Sequence, residues 1–462
     1  MTKIYENAIQ EVERLYSDIG DLRVITAANP REITNHLADT YDFQGPVGLD
    51  DMVEDISGML RKWSVQVTHP RYFGYFNPSV RPAAIVGDIL TAAFNPNLAV
   101  WSHSPAGVEI EQHLLRYFLQ QFGLDPERAA AHFTSGGAEA NFTALVAALT
   151  AKLPEYGEVG LVGLAQRPVI YVSHAAHDSF GKICHMTGMG RDSLRKVDVD
   201  QNYRIDLGHL EKMIRADLDQ GFHPLMVVGT AGTTAAGVID PLEELSALSR
   251  LFDLWYHVDA AWGGAAVLSE RLKPFLKGIE KADSITCDAH KWLSVPMGAG
   301  MFFSAHKEPC EKAFRIATDY MPSFTEGVID PYTTSVQWSR RFIGLKVFMA
   351  FAELGHRGYA ELIDHQARMG DYLKKELRAR GWKILVDTPL PVASFTHDRI
   401  EKGAHTTAQV LDIIYGSGKT WISEIVLTSR DRALRACICS YRTRESDIDV
   451  LLEELEASIG KM

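Results

Sequence analysis

Two short blocks hold the residue types with the most chemical potential: His257-Val258-Asp259-Ala260-Ala261-Trp262 and Asp288-Ala289-His290-Lys291-Trp292. Each follows an apolar run, Leu254 to Val258 in the first case and Ser284 to Cys287 in the second. Such runs read as buried strands, so Asp259, Asp288, His290 and Lys291 fall at or just past strand ends. The carboxyl ends of parallel strands are where α/β sheets hold ligands. A carboxylate there can pair with a protonated pyridine nitrogen, and a desolvated lysine can form a Schiff base with an aldehyde. Together, in this order, the blocks point to pyridoxal 5'-phosphate (PLP).

Three further segments fit the same cofactor. Phe133-Thr134-Ser135-Gly136-Gly137-Ala138-Glu139-Ala140-Asn141 opens a helix with small residues. Glycines let backbone amides approach an anion, and a helix N-terminus adds free N–H groups and a favourable dipole. Gly136, Gly137 and Ala138 therefore make a candidate phosphate cradle. Ser173-His174-Ala175-Ala176-His177 follows the strand-like Val169–Val172 run, and His177 can lie flat on a pyridine ring. Ala261 offers a small contact for the opposite ring face, and Gly232-Thr233-Thr234 brings hydroxyls to another strand end. Asp288, three residues before Lys291, is close enough to assist through an amide or a water.

These residues need a scaffold, and the patterning supplies one. Residues 1–82 read as an N-terminal helical arm, with helices at Ile4–Ile19 and Leu49–Ser64 and a break around Asn29-Pro30. An arm of this kind is expected to pack on a partner subunit. Residues 83–346 alternate strand and helix, the mark of a largely parallel sheet covered on both faces. The expected strands are Val169–Ser173, Leu225–Thr230, Trp255–Asp259, Ser284–Asp288 and Gly300–Ser304. Residues 347–462 read as a small α+β domain, entered through helices at Arg341–Leu354 and Tyr359–Arg380.

Composition bounds the partners. The chain has 462 residues, 46% hydrophobic and 23% charged, which suits a folded protein with a large core. A formal charge of −12 argues against nucleic acid or an anionic membrane as partner. Five scattered cysteines lack metal-ligand spacing and suit a reducing compartment, so no metal is expected. The first residues carry no signal-peptide apolar core and no run reaches bilayer length, so a cytoplasmic enzyme is expected.

In this order, the Gly-Gly cradle, Ser173-x-x-x-His177, Gly232-Thr233-Thr234, His257-Val258-Asp259-Ala260-Ala261 and His290-Lys291-Trp292 resemble the group II PLP-dependent amino acid decarboxylases. The likeness runs through essentially the whole chain, including His69-Pro70-Arg71-Tyr72-Phe73-Gly74-Tyr75-Phe76, Trp101-Ser102-His103-Ser104-Pro105 and Trp338-Ser339-Arg340-Arg341. It implies a PLP-dependent-transferase-like α/β fold of type I with a seven-stranded sheet, and a homodimer with active sites at the interface. It also implies roles: Lys291 as the lysine that holds the cofactor, Asp259 as partner of the ring nitrogen, and His177 stacked on the ring with Ala261 beneath it. Thr234 and His290 would lie near the substrate. Several relatives carry serine where Ala138 stands, so phosphate binding here leans on backbone amides. Tyr320 aligns with the loop tyrosine that returns a proton to Cα, in a segment spanning about Ala317 to Tyr332. Aldehyde synthases of the family often have phenylalanine there, so tyrosine favours plain decarboxylation.

The substrate is read from fewer residues. Tyr75 and Phe76 resemble the aromatic shelf of the aromatic amino acid decarboxylases, whereas the acidic branch usually has Gln-Leu. His69-Pro70-Arg71 is typical of that acidic branch, and Asn97 replaces a larger apolar residue expected across the interface. Arg71 or His103 could meet an acidic side chain. An aromatic or large apolar L-amino acid is the first expectation. Aspartate, glutamate or cysteine sulfinate, a diamino acid, or an oxidative aldehyde-forming reaction are the alternatives.

Overall fold

The computed structural model describes residues 5–316, 327–427 and 432–460. The chain divides into two compact units, one of residues 80–368 with 386–392, the other of residues 1–79 with 369–385 and 393–462. The first 79 residues thus share a unit with the C-terminal segments.

The larger unit is built on seven strands: β1 (Ala130–Thr134), β2 (Pro168–Ser173), β3 (Leu194–Val197), β4 (His223–Thr230), β5 (Trp255–Asp259), β6 (Ser284–Asp288) and β7 (Gly300–Ser304). Their order is β1-β7-β6-β5-β4-β2-β3. The neighbouring pairs from β6 through β3 are parallel, and β7 runs antiparallel to both β1 and β6. This is the α/β sheet expected from the alternating pattern. The five expected strands stand where the apolar runs put them.

An alanine-rich helix, Gly137–Lys152, crosses the sheet. Ala140, Ala144, Ala147 and Ala148 are fully buried in a core with Ile170, Val172, Met226, Val228 and Trp255. Small side chains bring the helix axis close to the strands, which carries its N-terminus to their carboxyl ends. Leu145 and Leu149, also fully buried, each contribute roughly 1.5–3 kcal/mol by leaving water. β3 is an edge strand, and its Arg195 forks onto Asp217 at 2.6 and 3.0 Å. A charged edge discourages pairing with another chain.

One expectation is corrected. The Asn29-Pro30 segment starts a helix, Pro30–Thr40, in which the Asn29 side chain accepts from the Arg31 amide at 3.0 Å. Asparagine at the cap followed by proline is a start signal, since both suit a turn whose amides lack partners. The helix Pro82–Phe94 and strands β1 and β3 were also not anticipated from the patterning.

The smaller unit holds helices Glu6–Asp18, Pro30–Thr40 and Leu49–Trp63. It also carries most of a four-stranded sheet of β8 (Trp382–Ile384), β9 (Val392–His397), β10 (Ser423–Val426) and β11 (Arg432–Cys437), in the order β10-β11-β9-β8. Its core gathers Phe73, Leu373, Trp382, Phe395, Ile448 and Leu452. The helical run Gly344–Ala379 breaks at Gly355, whose φ of 64° is left-handed, so the two expected helices are separated by a residue suited to glycine. No helix among the described residues is long and apolar enough to cross a membrane.

Candidate active site

The carboxyl ends of β5 and β6 and the start of the Gly137–Lys152 helix converge. A Cβ on Gly137 would lie 3.0 Å from Asp288 Oδ2 and 3.2 Å from Ala261 Cβ, and one on Gly136 would lie 3.3 Å from His290 Cε1. Gly136, Gly137, Ala261, Asp288 and His290 therefore form one close-packed cluster, tight enough that a Cβ at either glycine would push its neighbours aside. Lys291 joins it, with Nζ 3.0 Å from Asp288 Oδ2. Asp288 Oδ1 is buried and has no partner among the described residues.

Glu139 shapes the cradle from below. Its Oε2 accepts from the Ser135 amide at 2.8 Å and the Ser135 hydroxyl at 2.6 Å, and Gln337 Nε2 donates to Oε1 at 2.7 Å. The Ser135 amide is thus engaged within the loop, which leaves the amides at Gly136, Gly137 and Ala138 as the candidate anion donors. Thr134 donates to the Gly136 carbonyl at 3.1 Å and steadies the turn.

Asp259 is 5% exposed and lies at the tip of β5. Asn141 Nδ2 donates to its Oδ2 at 2.9 Å and the Ala261 amide to its Oδ1 at 3.1 Å. Asn141 Nδ2 also lies 3.4 Å from Ser179 Oγ, and the Ser179 amide donates to His177 Nδ1 at 3.2 Å. A neutral His177 therefore carries its proton on Nε2. The histidine itself is exposed. His290 accepts from the Ala299 amide at Nδ1, 3.1 Å, which likewise puts its proton on Nε2. Burial lowers the His290 pKa below that of an ordinary histidine, against the pull of the Asp288 carboxylate.

The segment carrying Lys291 is clamped. Trp292 stacks on Trp262 at 5.4 Å and donates to Gln366 at 2.7 Å. The Leu293 carbonyl takes the Tyr359 hydroxyl at 3.1 Å, and the Ser294 carbonyl takes the Arg81 amide at 2.8 Å.

Other expected site residues lie elsewhere or are engaged differently. Thr234 is exposed beyond the end of β4. Asn97 Oδ1 accepts from the amides of Ala99 at 3.1 Å and Arg340 at 3.0 Å, so its carboxamide braces a turn. His103 is exposed at the end of a short turn of helix. Tyr75 and Phe76 belong to the smaller unit. There Tyr75 is 57% exposed beside Trp421, and Phe76 lies under the Arg435 guanidinium at 4.7 Å. Tyr320 falls outside the described residues. Asn141 and His257 were quoted in the sequence motifs without a role. Their signal was a polar side chain in an otherwise apolar helix face or buried strand.

A strand-end lysine, a braced carboxylate and a glycine cradle at a helix start define an α/β protein equipped for PLP, and the donor set fits that group. The family model for the pyridoxal-dependent decarboxylase conserved domain matches residues 32–397. The chain is 30% identical to an aromatic-L-amino-acid decarboxylase of Bacillus atrophaeus over 72% of this chain and 68% of that protein. It is 30% identical to an L-2,4-diaminobutyrate decarboxylase of Acinetobacter baumannii, over 83% and 78% respectively. The fold matches a crystal structure of Oryza sativa TDC with PLP and tryptamine at a TM-score of 0.92 and 22% identity, covering 99% and 97% of the two chains. The chain belongs to the pyridoxal-dependent decarboxylase family and is a PLP-dependent amino acid decarboxylase.

Proposed function

We propose that the chain converts an aromatic or large apolar L-amino acid to its amine and CO2. The observation that carries this reading is the Tyr75–Phe76 pair, with Tyr75 57% exposed, which resembles the aromatic branch where the acidic branch would carry Gln-Leu. Arg71, the cation that an acidic substrate would need, donates to the Gly20 carbonyl at 2.9 Å. Relatives named for aromatic, acidic and diamino acid substrates all resemble this chain, so the residues rather than the family carry the choice.

When bound, PLP supplies an electron sink for the pair left on Cα as CO2 departs. Lys291, whose Nζ lies 3.0 Å from Asp288 Oδ2, would hold the cofactor through its amine. The amides of Gly136, Gly137 and Ala138 would hold its phosphate, and Asp259 would pair with its ring nitrogen. His177 and Ala261 would bracket the ring, and Thr234, Asp288 and His290 would border the reacting centre. Orienting the scissile bond and excluding water is how such groups select one reaction from several. Tyr320 would supply the proton at Cα and His103 would stand near the substrate, while Asn97 braces the backbone at Ala99 and Arg340. We further propose a cytoplasmic homodimer. The five free cysteines suit a reducing compartment, and the Pro82–Phe94 helix leaves Ile89 52% and Phe94 80% exposed, as a face awaiting a second subunit would. Light scattering that returns the mass of one chain would refute the dimer.

The test is amine, CO2 and peroxide released by PLP-loaded protein across a panel of L-amino acids. Equal amine and CO2 from an aromatic substrate supports the proposal. Turnover of acidic or diamino substrates alone refutes the aromatic assignment, and peroxide with aldehyde refutes simple decarboxylation.

A further inference from the structure

Behind Asp259 runs a chain of side-chain hydrogen bonds with a single allowed direction. Trp255 Nε1 lies 2.8 Å from Ser284 Oγ, Ser284 Oγ 2.8 Å from His257 Nδ1, and His257 Nε2 3.0 Å from Asn141 Oδ1. Thr286 also donates to Asn141 Oδ1 at 2.7 Å, and Asn141 Nδ2 reaches Asp259 Oδ2 at 2.9 Å. Both ends fix the polarity. An indole N–H only donates, so Ser284 accepts from Trp255, and a neutral His257 that gives its proton from Nε2 to Asn141 Oδ1 must accept the Ser284 hydroxyl at Nδ1. An ionised carboxylate only accepts, so the amide of Asn141 must turn its nitrogen to Asp259 and its oxygen to His257 and Thr286.

Asn141 is 1% exposed, Trp255 2%, and His257, Ser284 and Thr286 are fully buried, so water cannot substitute for a lost partner. Burial holds His257 neutral, its pKa lowered to about 4, as the direction of the chain requires. Two donors into Asn141 Oδ1 prevent the amide from flipping.

We propose that Asn141 is a positioning residue for the cofactor's ring nitrogen: held by His257 and Thr286, it keeps the Asp259 carboxylate aimed at that nitrogen. The proposal rests on the reading of Asp259 as the partner of that nitrogen. It predicts that Asn141 matters only for a ligand that possesses the nitrogen.

The test compares PLP with its 1-deaza analogue, in which carbon replaces the ring nitrogen. Both are titrated by absorbance and fluorescence into cofactor-free full-length protein, with Asn141→Leu, Thr286→Val and Asp259→Ala as variants. Loss of a hydrogen bond to a buried charge should cut the preference for PLP over the analogue by about tenfold or more in Asn141→Leu. Thr286→Val, which leaves Asn141 in place, should cut it less, and it serves as the readout should Asn141→Leu not fold. An Asn141 or Thr286 variant that weakens both ligands equally, or neither, overturns the proposal when Asp259→Ala abolishes the preference for PLP. If Asp259→Ala keeps the wild-type preference for PLP, the reading of Asp259 fails and takes the proposal with it.

Discussion

Gly300 on β7 is the most exacting position near the site, and replacing it with alanine tests the proposed cradle directly. It pairs with Thr134 at the end of β1 on one side and with Asp288 at the end of β6 on the other. A Cβ there would fall 2.4 Å from Thr134 Oγ1, 2.6 Å from Gly136 Cα and 2.7 Å from Gly136 C. Carbon atoms in contact sit at about 3.5–4.0 Å, so the turn must retreat by about 1 Å. Two of the three opposing atoms are backbone and cannot rotate away. Overpacking of this kind costs roughly 1–3 kcal/mol. Because the displaced atoms belong to the cradle, the cost should appear in cofactor affinity, as PLP binding weaker by about 10- to 100-fold. The assay is PLP titration of cofactor-free protein, with thermal unfolding in parallel. Gly416→Ala is the control, since a Cβ there meets nothing within 4 Å. Wild-type PLP affinity in Gly300→Ala would refute the assignment of Gly136–Ala138 as the phosphate site.

Glu111 offers a pH-dependent prediction. Burial pushes its carboxyl from 4.5 up to about 7, and Arg340 and the Gly344 amide offset this only in part. The folded chain binds this proton more tightly than the unfolded chain, so the contribution is complete below the ordinary value and is lost as pH rises through 7. At about 1.4 kcal/mol per pH unit this amounts to roughly 3 kcal/mol. Glu111→Gln should therefore be the more stable protein at about pH 8, with the gap closing near pH 5. Urea unfolding at both values measures it, and a gap independent of pH would show that Glu111 does not titrate. Tyr320→Phe should divert turnover toward aldehyde and peroxide, read by an oxidase-coupled assay. Unchanged amine yield and rate would remove Tyr320 as the proton donor.

Much of the scaffold was legible because buried strands are written as continuous apolar runs. β4, from His223 to Thr230, and β5, from Trp255 to Asp259, show this most plainly. β1 was not legible: Ala130-Ala131-His132-Phe133-Thr134 has two alanines and a histidine, and its strand character comes from pairing with β7 rather than from propensity. β3 was hidden for the opposite reason, since Arg195 and Lys196 suit an exposed edge and carry no apolar pattern.

The sequence by itself determined the reacting groups and their order. Lys291, Asp259 and the Gly136-Gly137 turn are specified by type and spacing, because each must sit where a strand ends or a helix begins. What only the tertiary structure decided is how those groups are held. Asn141 lies 118 residues from Asp259, and Gln337 lies 198 from the Glu139 it braces. Local patterning cannot report such partnerships, because a hydrogen bond depends on where the sheet brings two side chains and not on the residues between them. The same reason explains why Asn97 read as a candidate substrate contact, yet its amide oxygen braces the backbone at Ala99 and Arg340.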